Sequence, residues 1–168
     1  MMSTYSVVLF VHSWIRWLVV GLLIAVVVDT ARGWALRRAW SHAGERLHRV
    51  LVAAADLQLS LGLWLYFVAS PIAAAFRANP GRAMRDPTAR FFGIEHVTMM
   101  LLALTALHVG RALSKRATDS VVRHRRVFAW TLLAVALVGA GIPWPLVRAG
   151  RPLFRSPEAI TQLFGRGS

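Results

Sequence analysis

The chain has 168 residues, 57% of them hydrophobic, a mean hydropathy of +0.53, and 20 Lys+Arg against 7 Asp+Glu for a formal net charge of +13. That apolar share exceeds the roughly 45–50% of soluble domains, and the length suits one domain. The absence of cysteine excludes disulfides, thiolate nucleophiles, iron–sulfur clusters and haem attached through a Cys-x-x-Cys-His motif.

The basic residues, all Arg except Lys115, lie almost entirely between long apolar runs. That is the pattern of loops facing anionic lipid headgroups. No basic stripe shares a face with exposed aromatics, so no nucleic-acid partner is expected. A bilayer core takes about 20 apolar residues as helix, and four stretches meet this: residues 7–28, 47–70, 91–110 and 127–147. The expected fold is an all-α, integral membrane four-helix bundle running up-down-up-down, in a single transmembrane domain covering 1–168.

The first stretch has no basic residue before it and is too long for a cleavable signal, so it reads as an uncleaved span. Asp29 and Gly33 punctuate its end. Ser70-Pro71 closes the second span and Gly110-Arg111 the third, and Pro143 and Pro145 close the fourth by withdrawing backbone donors. The loop joining spans two and three holds Pro71, Pro80 and Pro87 and has room for an interfacial helix around 72–77. Trp14, Trp17, Tyr66, Phe67, Phe91, Phe92 and Trp144 gather near one interface and Trp130 near the other, forming an aromatic belt. The tail after Pro152 is expected at the interface.

Arg32, Arg37, Arg38, Arg46, Arg49, Arg111, Lys115, Arg116, Arg123, Arg125 and Arg126 flank one side of the bundle. They outnumber Arg77, Arg82, Arg85, Arg90, Arg148, Arg151, Arg155 and Arg166 on the other. By the positive-inside rule both termini are expected outside the cytoplasm.

Ionisable residues inside spans are costly and point to function. Here they are His12, Arg16, Asp56, Glu95, His96 and His108, with His48 and His124 at span starts. His12 and His96 each lie five residues into their spans, about 7.5 Å below one boundary. Spans one and three run in the same direction, so the two imidazoles reach one depth. Facing inward, they suit the two axial positions of a b-type haem. His108 follows His96 by twelve residues, about 18 Å in depth and about 120° around the helix. A second haem would therefore use His48 and His108. His124, in the run Arg123-His124-Arg125-Arg126, is expected solvated at the interface, and Met99 and Met100 are expected to pack. Arg16, one turn from His12, is expected to pair with Glu95, with Asp56 the alternative. Such a pair would orient a haem ligand or bind quinol. Arg90 and Arg82 are placed to grip haem propionates.

His-Ser-Trp-Ile-Arg-Trp at 12–17, Gln58-Leu59, Gly62, Leu65-Tyr66-Phe67, Arg90-Phe91, Glu95-His96, Met99-Met100, Gly110-Arg111 and Ile142-Pro143-Trp144-Pro145 together resemble a family of small four-helix bacterial membrane proteins labelled cytochrome b-like. The resemblance covers residues 5–147. It implies a multi-pass protein of the bacterial inner membrane that keeps His12, His96 and Glu95 and binds haem. Related sequences that carry His at the position of Asp56 lack the one at 108, so the second site does not follow from it.

The resulting expectation is an electron-transfer protein with one haem b or two, exchanging electrons with quinol and a redox partner outside the cytoplasm. Two alternatives stand beside it. One is a cofactor-free accessory or assembly subunit of a respiratory complex. The other is a copper-handling membrane protein using His12, His96, Met99 and Met100. No nucleophile motif or zinc spacing points to a hydrolase.

Overall fold

The computed structural model describes residues 4–145, 150, 151 and 154, and the regular secondary structure among them is all helix. Three of its helices are long and apolar enough to cross a membrane. The end of span four at Val147 and the tail after Pro152, Phe154 apart, lie outside the described residues.

Helix α1 (Thr4–Ala35) is 32 residues long, about 48 Å at 1.5 Å per residue. It overruns a hydrocarbon core of about 30 Å, and Asp29 and Gly33 lie within it rather than ending it. Thr30 Oγ1 donates to the Val26 carbonyl at 2.6 Å, which satisfies a buried hydroxyl within its own helix. The helix stops where Arg37 takes φ 49°. The Arg38 amide then returns to the Gly33 carbonyl at 3.0 Å, while its guanidinium contacts the Asp29 carboxylate at 3.2 Å. A left-handed residue other than glycine costs about 1 kcal/mol. Arg37→Gly is expected to raise stability by about that amount and the melting temperature by roughly 2–4 °C, measured by thermal unfolding in detergent.

Helix α2 (His42–Trp64) begins at Ser41, whose hydroxyl accepts from Gly44 N at 3.0 Å. It ends in a π-helical turn, Leu65–Ala69, before the expected break at Ser70-Pro71. The loop expected to hold one helix holds three: α3 (Pro71–Ala78), α4 (Pro80–Ala83) and α5 (Pro87–Arg90). The cause is local. Each proline opens a helix, and the preceding Ser70, Asn79 or Asp86 caps it by accepting a backbone N–H. Arg77 closes the segment by donating to the Tyr66 and Phe67 carbonyls.

A second π-helical turn, Phe91–Glu95, leads into α6 (His96–Lys115). Gly110 does not end α6. A Cβ there would lie 2.6 Å from Trp130 Cβ, so the glycine allows close approach of α7 (Ser120–Gly141). Ala103, Ala106 and Ala134 are also buried, and among the described residues α6 and α7 share the most extensive contact. Small residues serve this purpose between apolar helices.

The long helices pack in the cyclic order α1, α2, α6, α7. At one end, Trp40 N donates to Ser120 Oγ at 3.1 Å, and Glu45 meets Arg111 and Arg123. At the other, Tyr66 donates to the Gly93 carbonyl at 2.9 Å and His96 to Gly141 at 2.7 Å. These contacts tie the ends of neighbouring long helices together. The core between the ends holds Val19, Leu23, Leu51, Leu107 and Val127, all nearly inaccessible.

His124 is buried rather than solvated. Its ring fills the space left by Gly33, where a Cβ would lie 2.2 Å from Cε1, and packs on Trp40 with centroids 4.8 Å apart. The basic run misleads because α7 starts at Ser120, so residue 124 already faces the bundle. Burial pushes the His124 imidazole below its ordinary 6.5, and Asp29 opposes that shift while Arg38 reinforces it. A depressed folded value means stability present above about pH 6.5 and lost on acidification, as the unfolded chain takes the proton first. Melting is therefore expected to fall between pH 7.5 and pH 5, with a smaller fall for His124→Phe.

Candidate functional site

The end of the bundle near the π-helical turns encloses a cavity of about 440 Å³, bordered by residues of α1, α2, α3, α6 and α7. That size is ordinary for a small-molecule site. His12 and Arg16, four residues apart and so on one face of α1, both line it, and His96 lines it from the first residue of α6. A smaller extension of about 70 Å³ runs toward the core and is again bordered by His12 and His96. The structure thus brings His12 and His96, the pair expected from the sequence to face inward, to the border of the same two spaces.

Their surroundings differ. His96 Nδ1 lies 2.7 Å from the Gly141 carbonyl. A carbonyl only accepts, so Nδ1 carries the proton and Nε2 keeps a free lone pair. Gly141 can take this position because α7 ends there, and a Cβ on it would strike Met100 Cε at 2.4 Å. His12 is held by Gln58, whose amide donates to the His12 carbonyl at 3.0 Å and lies 3.4 Å from His12 Nε2. Gly62 leaves room for the same ring, since a Cβ would lie 3.1 Å from His12 Cε1. Gln58 Oε1 is buried and has no hydrogen-bond partner among the described residues. The cavity thus combines two imidazoles, the Arg16 and Arg151 side chains, an amide acceptor and the Met100 thioether inside a largely apolar lining.

The expected Arg16–Glu95 pair does not form. Glu95 instead accepts from Arg90 Nε at 2.6 Å. The reason is the π-helical turn over Phe91–Glu95. An i→i+5 winding stacks residue 95 over residue 90, which an α-helix would place about 140° apart. Arg90 is thereby engaged beside the cavity and does not line it. Arg16 lies 5.1 Å from the Trp17 ring centroid and borders the cavity itself. Asp56, the alternative partner, bonds His108 Nε2 at 2.9 Å.

His48 and His108 are not brought to this cavity. His48 is buried at the opposite end, one turn from Glu45. His108 points away from the bundle interior, as the 120° offset from His96 requires, with its side chain 52% exposed. Of the thioether candidates, Met100 borders the cavity and Met99 does not. Arg82 lies in the α4 turn, where its amide is capped by Asn79.

Sequence reasoning passes over Tyr66, Arg151 and Phe154 as cavity residues and Gly141 as the partner of His96, and uses Gln58 and Gly62 only as motif positions. The last two carry a usable signal, since both lie on the α2 face that meets His12. Comparison with protein-family models, curated proteins and solved structures finds no match to this chain, so its site is read from its own geometry.

Proposed function

We propose that the chain is a membrane b-type cytochrome-like electron-transfer protein in which His12 and His96 would hold one haem. The observation that carries the reading is that both imidazoles border one cavity, while the Gly141 carbonyl holds His96 Nδ1 and leaves Nε2 available. A hydrogen bond at the far nitrogen is how proteins fix the tautomer and direction of a metal-binding histidine. Bound between two imidazoles, haem supplies one-electron redox chemistry. The chain's own residues do the rest. Gln58 and Gly62 position the His12 ring, Arg16 offers positive charge to an anionic edge, and the apolar wall limits water.

The four long helices are proposed to cross the bilayer together. Helix α7 is not among the three helices long and apolar enough to cross by themselves, but Ala129, Leu132, Leu133, Ala136 and Ala140 make its outer face apolar, as lipid contact requires. The Arg-rich end around Glu45 is proposed to face the cytoplasm. A bilayer quinol is the proposed electron donor, because the helices bordering the cavity are those that lipid-soluble molecules reach.

The test is one absorbance spectrum of detergent-purified protein from a haem-replete host, oxidised and then reduced with dithionite. A Soret band with reduced α and β peaks is expected. Colourless protein, or protein carrying copper in place of haem, overturns the reading.

A further inference from the structure

The outer faces of the four long helices are not alike. On α1, Val7, Val11, Trp14, Leu18, Ile24 and Val28 are exposed, and on α7 Leu132 and Leu133; over these stretches the outward groups are apolar. The neighbouring faces of α2 and α6 are polar in the middle. Asp56 and His108 meet at 2.9 Å with side chains 47% and 52% exposed. Beside them, Ser60 and Thr105 are exposed, their hydroxyls turned back to the Asp56 and Leu101 carbonyls at 2.8 Å. Asp56 lies fourteen residues into α2, about 21 Å along it, far from either end of the helix.

A carboxylate and an imidazole facing hydrocarbon are costly, and in membrane helices such groups face protein or each other. The internal pair satisfies one oxygen and one nitrogen and leaves the rest of both groups on the surface. On α6 the exposed positions Thr98, Leu101, Thr105, His108 and Ala112 follow a 3-4-3-4 spacing. That is the seam of a helix packed against another at a shallow angle.

We propose that this α2/α6 face is the contact between two copies of the chain. Charge complementarity selects the occupant. The face carries one acid and one base, so it complements itself. Two copies inserted in the same orientation are related by an axis along the membrane normal, which brings together groups at equal depth. Asp56 and His108 touch, so they share a depth, and each Asp56 then meets the second copy's His108 as well as its own. The four groups close into a ring, and the hydroxyls of Ser60 and Thr105 flank it. This inference rests on the bilayer placement of the helices and is independent of the haem assignment.

The absence of native cysteine makes the test direct, since any disulfide must join two molecules. Leu57→Cys on the proposed contact is compared with Leu18→Cys on α1 and Leu132→Cys on α7, all three positions being exposed to a similar degree, 52%, 58% and 47%. The full-length proteins are oxidised in phosphatidylcholine–phosphatidylglycerol vesicles at high lipid-to-protein ratio and separated by mass on a non-reducing gel. A covalent dimer at least tenfold more abundant for Leu57→Cys is expected, and adding Asp56→Leu with His108→Leu is expected to remove that excess. Equal yields at the three positions overturn the proposal. So does a Leu57→Cys product that is unchanged by the leucine pair, or one that joins the chain in cell membranes to a different protein and not to itself.

Discussion

His96→Ala protein, purified from a haem-replete host, is expected to lack the Soret band, while His124→Phe retains it. His124 is buried and His96 half-buried among the helices, so position inside the helices alone does not assign their roles. The difference lies in the second nitrogen. At His96 the Gly141 carbonyl fixes one nitrogen and leaves the other available on a residue that borders the cavity. At His124 the ring is wedged between Gly33 and Trp40. Removing the whole imidazole at position 96 deletes one of two proposed axial bonds, and the remaining His12 is not expected to keep the group through detergent extraction. His12→Ala should behave alike. His12→Met is the informative intermediate, because a Met/His pair holds haem at a raised potential. It should keep absorbance and shift the midpoint upward in a redox titration. Retention of full absorbance by both alanine variants would remove His12 and His96 from the ligand set.

Glu45→Gln is expected to produce the largest loss of stability among single changes remote from the cavity. One carboxylate accepts from Arg123 at 2.6 Å, Arg111 at 3.2 Å and the Trp40 indole at 3.2 Å. It therefore ties the starts of α2 and α7 to the end of α6 and to the α1–α2 connection. The three charged side chains are only about a fifth exposed, 22%, 18% and 23%. The cluster is already rich in donors, since Arg111 Nη1 and Arg123 Nε are buried with no acceptor among the described residues. Neutralising the carboxylate leaves two guanidinium groups poorly compensated, a loss of about 3 kcal/mol, or roughly 6–12 °C in melting temperature. Glu45→Leu combined with Arg123→Leu should recover part of that loss, because replacing a buried pair by apolar groups costs less than orphaning one partner. Thermal unfolding in detergent measures both. If Glu45→Gln melts with the parent, the cluster is ordinary surface charge.

Much of the helical course is legible in the amino-acid sequence, and the reason is the bilayer-length apolar run. Residues 47–70 and 91–110 coincide with helices to within a few positions at the ends that Ser70-Pro71 and Phe91 define. The helix ends on the other side are not legible in this way. Gly33 and Gly110 read as stops, yet each lies inside a helix and makes room for a neighbouring side chain, His124 or Trp130. A glycine that ends a helix and a glycine that lets two helices approach are the same letter, and the neighbour that distinguishes them is remote in sequence.

The candidate site divides along a similar line. The shared depth of His12 and His96 is arithmetic on one chain, counting rise per residue from a common boundary. Counting alone therefore proposes that pair, with Arg16 one turn from His12, and predicts the membrane-length helices that carry them. The partner that each charge takes emerges only when the helices are packed. Glu95 turns to Arg90 because the helix is underwound by one residue at Phe91–Glu95. Asp56 turns to His108, and Gly141 reaches His96 because α7 stops beside it. Depth follows from counting along a helix, whereas pairing depends on rotation about its axis and on where the neighbouring helix ends, and neither quantity is local to any one segment.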